Sequence, residues 1–285
     1  MSNGRSKVLI SRQALETSNV AFDPRRSTLY CLDRKGNVLV SWPSGAAEPR
    51  VIYQLPPDRK LCRLFLSPSG DWLFFTTMEG TYGHETQEYS IFAYNVTSET
   101  LQLVLSGPPS EVPWVAGVVG EDRLLCSKRV MTDKDRKMDT LLELDIKTKE
   151  LRPALEGRRF PLSSFYLSPS GNTLCVAEWT KEDEDKGFRL YDYPSGRLRR
   201  VVRAWRLPWD GGGQHVCMVS DRFLVCDRSE TGYGPFSGFT RMVLVDTRTC
   251  RTWIAHAFSL GHMAYVPTRL NWRPGGRITN GTTPP

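Results

Sequence analysis

No apolar run in this 285-residue chain approaches the roughly 20 residues that a helix needs to cross a bilayer. Nor do apolar residues recur at helical spacing over any convincing length, which excludes a helical bundle as the expected fold. No CxxC pair occurs, and the seven cysteines are an odd number. A disulfide framework or compact zinc site is therefore not expected. The chain has no GxSxG elbow, no P-loop and no dinucleotide fingerprint. Gly211-Gly212-Gly213 reads as a flexible lead-in between repeats rather than a phosphate cradle. The basic start Met1–Lys7 is followed only by Val8-Leu9-Ile10, too short for a secretory core, so a cytoplasmic location without membrane association is expected.

What the chain does have is a repeat. Leu66-Ser67-Pro68-Ser69-Gly70-Asp71-Trp72-Leu73 returns as Leu167-Ser168-Pro169-Ser170-Gly171-Asn172-Thr173-Leu174. Weaker copies are Phe22–Tyr30, Gly120–Leu125, Val219–Leu224 and Trp272–Ile278. Successive copies lie roughly 45–55 residues apart, a range typical of propellers and solenoids. Each copy joins two short apolar strands by a tight turn, and two further strands follow. In the second repeat these are Cys62–Leu66, Trp72–Thr77, Tyr89–Tyr94 and Leu101–Leu105. The turn between third and fourth strands also repeats, opening on Asn95, Asp145, Asp192 and Asp246. At a strand end such side chains accept the free N–H groups of the turn, a structural rather than catalytic duty. Cys31, Cys126, Cys175 and Cys226 occupy matching places in second strands and read as small buried hydrophobes.

Four antiparallel strands per repeat, stacked radially, make an all-β chain and a β-propeller. Six turn motifs imply six four-stranded blades in one domain over residues 1–285, with five or seven blades as alternatives. The last repeat is incomplete, and the strand Lys7–Ile10 is expected to pair into it and close the ring. The SPSG turns with flanking apolar strands resemble the WD40-like repeats of the TolB-type propeller superfamily, whose usual turn is SPDG. Two blades depart from the pattern, with Glu121-Asp122 and Ser220-Asp221 in place of Pro-Ser-Gly. The resemblance implies the architecture over nearly the whole chain. It leaves the activity open, because that superfamily serves protein binding, periplasmic assembly, lyases, lactonases and peptidase gating.

The loops between second and third strands are expected to be long in four successive repeats: Glu79–Glu88, Arg129–Thr140, Thr180–Gly187 and Ser229–Thr240. Loops of this length inside hairpins commonly carry function. Two are aromatic, with Tyr82 in the first and Tyr233 and Phe236 in the last. With Trp114 they are the expected anchors for a protein or peptide partner, since such residues dominate interface energies. Arginines crowd one outermost strand, where Arg199 and Arg203 fall on one side by alternation and can grip an acidic surface. Nucleic acid ranks behind a protein partner here, and edge protection by charge is the competing reading.

Of the four histidines, His84, His215 and His262 fall on the long-loop end, and His256 lies inside an apolar strand. Three imidazoles around a channel mouth suit Mn²⁺ or Zn²⁺. The Gln214-His215 pair is similar to the manganese site of oligogalacturonate lyases, another propeller family. The leading expectation is a non-enzymatic propeller without a cofactor. The alternatives are a metal-assisted lyase or hydrolase at the His-lined mouth, or the propeller part of a larger peptidase-like protein.

Overall fold

The structure is a computed structural model that describes residues 20–32, 38–79, 88–131, 137–161, 163–178, 187–203, 216–218, 220–229, 239–249 and 251–259. These residues form five antiparallel sheets in chain order. The first holds β1 (Val20–Asp23), β2 (Thr28–Leu32), β3 (Val38–Pro43) and β4 (Arg50–Gln54). The second holds β5 (Arg59–Leu66), β6 (Trp72–Glu79), β7 (Tyr89–Asn95) and β8 (Thr100–Gly107). The third holds β9 (Trp114–Val119), β10 (Arg123–Met131), β11 (Lys137–Asp145), β12 (Leu151–Pro153) and β13 (Arg159–Pro161). The fourth holds β14 (Ser163–Leu167), β15 (Thr173–Glu178), β16 (Gly187–Asp192) and β17 (Arg197–Arg203). The fifth holds β18 (Val216–Met218), β19 (Phe223–Ser229), β20 (Phe239–Asp246) and β21 (Thr252–Ser259). The first strands β1, β5, β9, β14 and β18 lie side by side in that order. The sheets therefore radiate from a common axis, and the chain is an all-β propeller. The sixth turn motif, Trp272–Ile278, and the expected closing strand Lys7–Ile10 lie outside the described residues.

The middle strands are buried along most of their length, as in Trp72–Glu79 and Tyr89–Asn95, because both faces of a blade meet a neighbour. Strand alternation then sorts successive residues into opposite seams. Leu73 and Phe75 pack with Tyr30 and Leu39 of the first blade. Phe74, between them, packs with Val115, Leu124 and Cys126 of the third. Leu125 faces the fourth blade beside Phe165 and Leu174, while Cys175 faces the fifth beside Leu224 and Val245. Cys31, Cys126 and Cys175 are buried in these packed layers, in accord with their expected role.

The SPSG turn works through its own side chains. Gly70 and Gly171 have φ of 77° and 74°, a region that L side chains rarely adopt. The Ser67 hydroxyl accepts the Trp72 N–H at 3.1 Å, and Ser69 accepts the Asp71 N–H at 3.1 Å. Ser168 and Ser170 repeat these bonds to Thr173 and Asn172. In the later turns, Asn95 and Asp145 each accept two backbone N–H groups, as expected. Asp192 does not. Pro194, two residues on, has no N–H to offer, and the carboxylate instead holds Arg197 and Arg199.

The two departures from the SPSG pattern have a physical reason. Glu121 accepts the Ser69 N–H at 2.8 Å and also binds the Ser69 hydroxyl. Asp221 accepts Ser168, Ser170 and Thr173 hydroxyls at 2.7, 2.6 and 2.9 Å. The acidic turns thus receive the serine turns of the preceding blade. At the first seam the polarity differs: Arg26 of the first blade donates to Asp71 and to the Gly70 carbonyl. An outer set of ties runs parallel to it, with Arg50 on Glu99, Lys149 on the Leu103 carbonyl, Arg158 on the Gly196 carbonyl and Arg200 on the Thr247 carbonyl. Every seam among the described blades is crossed by at least one such cation.

Three expectations are corrected. The Arg129–Thr140 connection is mostly hairpin, since Arg129 pairs with Asp139, Val130 with Met138 and Met131 with Lys137. The alternation along the arginine-rich strand is broken by a bulge, because Leu190 pairs with Arg200 but Tyr191 with Leu198, leaving Arg199 as the extra residue. The fourth strand of the third blade is split into β12 and β13 by a turn in which Leu155, Glu156 and Gly157 all have positive φ, at 50°, 55° and 71°. Leu155 is thereby buried in the seam with the fourth blade. A left-handed conformation costs a non-glycine residue roughly 1–2 kcal/mol, so packing of Leu155 must offset it.

Two predictions follow from these contacts. Glu156 is exposed and makes no bond that needs its side chain, so Glu156→Gly is expected to raise stability by about 0.5–1 kcal/mol in urea denaturation. An unchanged or lower midpoint would show that the turn is unstrained. Partial burial works to raise the Asp221 carboxyl pKa, but the hydroxyls of Ser170, Ser168 and Thr173 outweigh it and hold the group below its usual range. The Arg222 guanidinium does the same, more strongly, for Asp246. Both groups take up a proton less readily folded than unfolded. Their contribution is complete above the ordinary aspartate value of 3.8 and is lost as pH falls through the depressed one. Asp221→Ala is expected to cost about 1–2 kcal/mol at pH 7 and progressively less as pH falls below 3.8.

Candidate functional site

Strand direction separates two ends of the ring. First strands run toward the short turns that are tied to one another. Second-to-third-strand loops and the connections between blades lie at the opposite end. The described side chains at this loop end are polar and engaged. Arg59, at the start of β5, pairs with Glu88 at 2.7 Å and donates to the Ser90 hydroxyl at 2.7 Å. Ser90 and Ser106 hydroxyls lie 2.6 Å apart, and Ser106 also binds Glu88. The Ser106 hydroxyl, then Arg59, hold the Glu88 carboxyl below its usual range. In the third blade, buried Asp139 takes Arg129 at 3.1 Å and the Ser163 N–H of the next blade at 2.9 Å.

Deeper along the innermost strands, Arg63 donates to the Val115 carbonyl at 3.1 Å. The Val115 N–H donates to the Tyr89 hydroxyl at 3.4 Å, and burial pushes the Tyr89 phenol far above its ordinary value.

Of the residues singled out from sequence, Trp114 stands at the start of β9, half-buried, with its ring 4.5 Å from that of Tyr89. Arg199 bonds Asp192 at 2.6 Å and the Thr173 hydroxyl at 3.1 Å, so it braces its own blade while keeping an exposed face. Arg203 ends β17 opposite Gly187. Tyr82, Tyr233, Phe236, His84, His215 and His262 lie outside the described residues. His256 lies in β21, opposite Met242. Among the described residues no group of three or more His, Cys, Asp or Glu is placed to hold a metal ion, and no helix is long and apolar enough to span a membrane. Arg59 and Arg63 were not singled out from the sequence. Their signal was available: two arginines inside the otherwise apolar inner-strand stretch Leu61–Leu66 and its lead-in.

No family model matches the chain, and no curated protein sequence matches it. Solved structures do. Oligogalacturonate lyase in complex with manganese is similar over 86% of this chain and 66% of that one, at 12% identity and a TM-score of 0.58. The nidogen/laminin complex is similar over 89% and 84%, at 12% identity and a TM-score of 0.57. A putative TolB from Agrobacterium tumefaciens is similar over 86% and 82%, at 11% identity and a TM-score of 0.55. The chain spans about two thirds of the length of that lyase. These likenesses define the class of fold, a β-propeller. At such identities they establish the fold alone.

Proposed function

We propose that this propeller binds a protein or peptide partner at its loop end, without catalysing a reaction. The observation that carries the reading is the difference between the two ends. At the turn end, Asp23, Asp71, Glu121, Asp221 and Asp246 are taken up by arginines or by turn hydroxyls and N–H groups. A surface whose polar groups satisfy one another offers little to a partner. The loop end gathers the long connections, whose aromatic residues Tyr82, Tyr233 and Phe236 supply large contact area at low entropic cost. Trp114, backed by Tyr89, offers a rigid base at the same end. Arg203, which ends the outer strand of the fourth blade at this end, adds charge complementary to an acidic protein surface, whereas Arg199 is engaged with Asp192 at the turn end. That a neighbour of comparable likeness is the nidogen/laminin complex supports a partner-binding use of this fold. The triple substitution Tyr82→Ala, Tyr233→Ala, Phe236→Ala is expected to weaken a cross-linked partner's binding by at least roughly 30-fold, the loss of one strong anchor. Undiminished capture by a folded variant overturns the reading.

A second reading is favoured by the manganese-bound lyase neighbour: an ion at the loop end, held by His84, His215 and His262, assisting a lyase or hydrolase reaction. Such an ion would act as a Lewis acid on a substrate oxygen. Dialysis against Mn²⁺ followed by elemental analysis is expected, on this reading, to give one ion per chain, and none after His215→Ala with His262→Ala. Equal uptake by both proteins, or none by either, removes it.

A further inference from the structure

Among the described blades, bulges interrupt the pairing of the innermost strand in only two, and the two are neighbours. β5 carries an extra residue at Cys62, since Leu61 pairs with Thr77 but Arg63 with Thr76. β9 carries one at Ala116, since Leu125 pairs with Gly117 but Cys126 with Val115. A bulge leaves backbone groups unpaired and re-aims a side chain, and bulges gather beside binding sites. Here the re-aimed side chain is Arg63, and the Val115 peptide, beside the second bulge, receives it.

Arg63 differs from Arg59, four residues earlier on the same strand. Arg59 is neutralised by Glu88. Arg63 is half-buried, and its one hydrogen bond goes to a neutral carbonyl, with no carboxylate in ion-pair range among the described residues. A partly desolvated cation without a counter-ion is costly and attracts an anion. One Nη is spent on Val115, so the edge formed by Nε and the other Nη is left. Two parallel N–H donors match one carboxylate, side on. Beneath it, Thr76 is cross-strand from Arg63, and its hydroxyl is fully buried beside that of Tyr89.

Depth decides what can deliver the carboxylate. Arg63 lies four residues below Arg59 at the loop end, which the bulge at Cys62 reduces to three cross-strand steps, roughly 10 Å. An acidic side chain on a partner resting at the mouth is too short to cover that distance. An extended chain entering the axial tunnel by its end is not. Resting on the partner-binding reading above, we propose that the seam between the second and third blades is a carboxylate site, in which the Arg63 guanidinium receives the free C-terminus of an extended peptide. Val115 orients the guanidinium, and half-buried Trp114, packed on the buried Tyr89 ring, precedes it on β9.

The probe is N-acetyl-tetra-alanine, as the free acid and as the C-terminal amide, followed through the indole N–H resonance of Trp114, present in every variant, in ¹⁵N–¹H spectra. The free acid is expected to shift that resonance saturably, and the amide to bind at least roughly tenfold more weakly, the usual loss for a charge-assisted bond. Arg63→Gln is expected to abolish binding of the free acid. Arg63→Lys keeps a donor for the Val115 carbonyl but loses the two-donor edge, and is expected to bind several-fold more weakly. It stands in should the glutamine variant fail to fold. Equal binding of acid and amide, no binding of either, or unchanged binding by Arg63→Lys overturns the site. The substitutions at Tyr82, Tyr233 and Phe236 test the partner separately, so the two ideas fail independently.

Discussion

The acceptance of one blade's turn by the next blade's acidic residue ties the second blade to the third and the fourth to the fifth at the turn end. A serine turn alone leaves its hydroxyls and the Ser69 N–H pointing outward, where water would satisfy them equally well. Glu121 and Asp221 replace that water with a carboxylate fixed to the neighbouring sheet. The exchange is modest in energy for any one bond, but a charged acceptor with several donors is stronger than a neutral one. It also sets the relative height of adjacent blades, because the bonds can form only when the turns are level. The heterogeneity of the turns is therefore complementary: serine turns donate, acidic turns accept, and the Arg25-Arg26 turn of the first blade donates to the serine turn of the second.

Above this polar ring the seams are apolar and divided by strand parity. A single residue step along β6 moves a side chain from the first seam to the second, so Leu73, Phe74 and Phe75 serve two different cores. Blades in which both faces are covered need unbroken apolar strands, and this is why the middle strands show little polar alternation. It also explains why cysteine recurs there. Cys126 and Cys175 fill places where a larger residue would hold the sheets apart. On the outer strands, burial is confined to single residues such as Val104 and Val202, while Leu103 and Leu198 remain exposed.

The two ends of the ring differ in how far their chemistry was legible. At the turn end, glycine, serine and acidic residues act on backbone groups two to five residues away, and such local duties are encoded by spacing. The expected capping by Asn95 and Asp145 and the αL glycines at 70 and 171 are of this kind. The exception at Asp192 was also local, and Pro194 announced it. The partners of Glu121 and Asp221 were not legible, because Ser69 and Ser170 lie on other blades and no spacing rule links residues that far apart. Nor was the use of Arg199, since a bulge shifts strand parity without a mark in the residue pattern. At the loop end the residues singled out from sequence and the residues placed by the structure overlap least: Trp114 and Arg203 are placed, with Arg63 added.

By itself the amino-acid order determined the strand repeat, the turn chemistry and the blade-like architecture, because each depends on contacts between residues close along the chain. Only the tertiary structure decided which turn meets which carboxylate, which seam each buried side chain fills, and that Arg63 reaches the Val115 carbonyl across two bulged strands. Those outcomes depend on the height and twist of neighbouring sheets. The packing of whole blades sets them, and a one-dimensional pattern does not carry them.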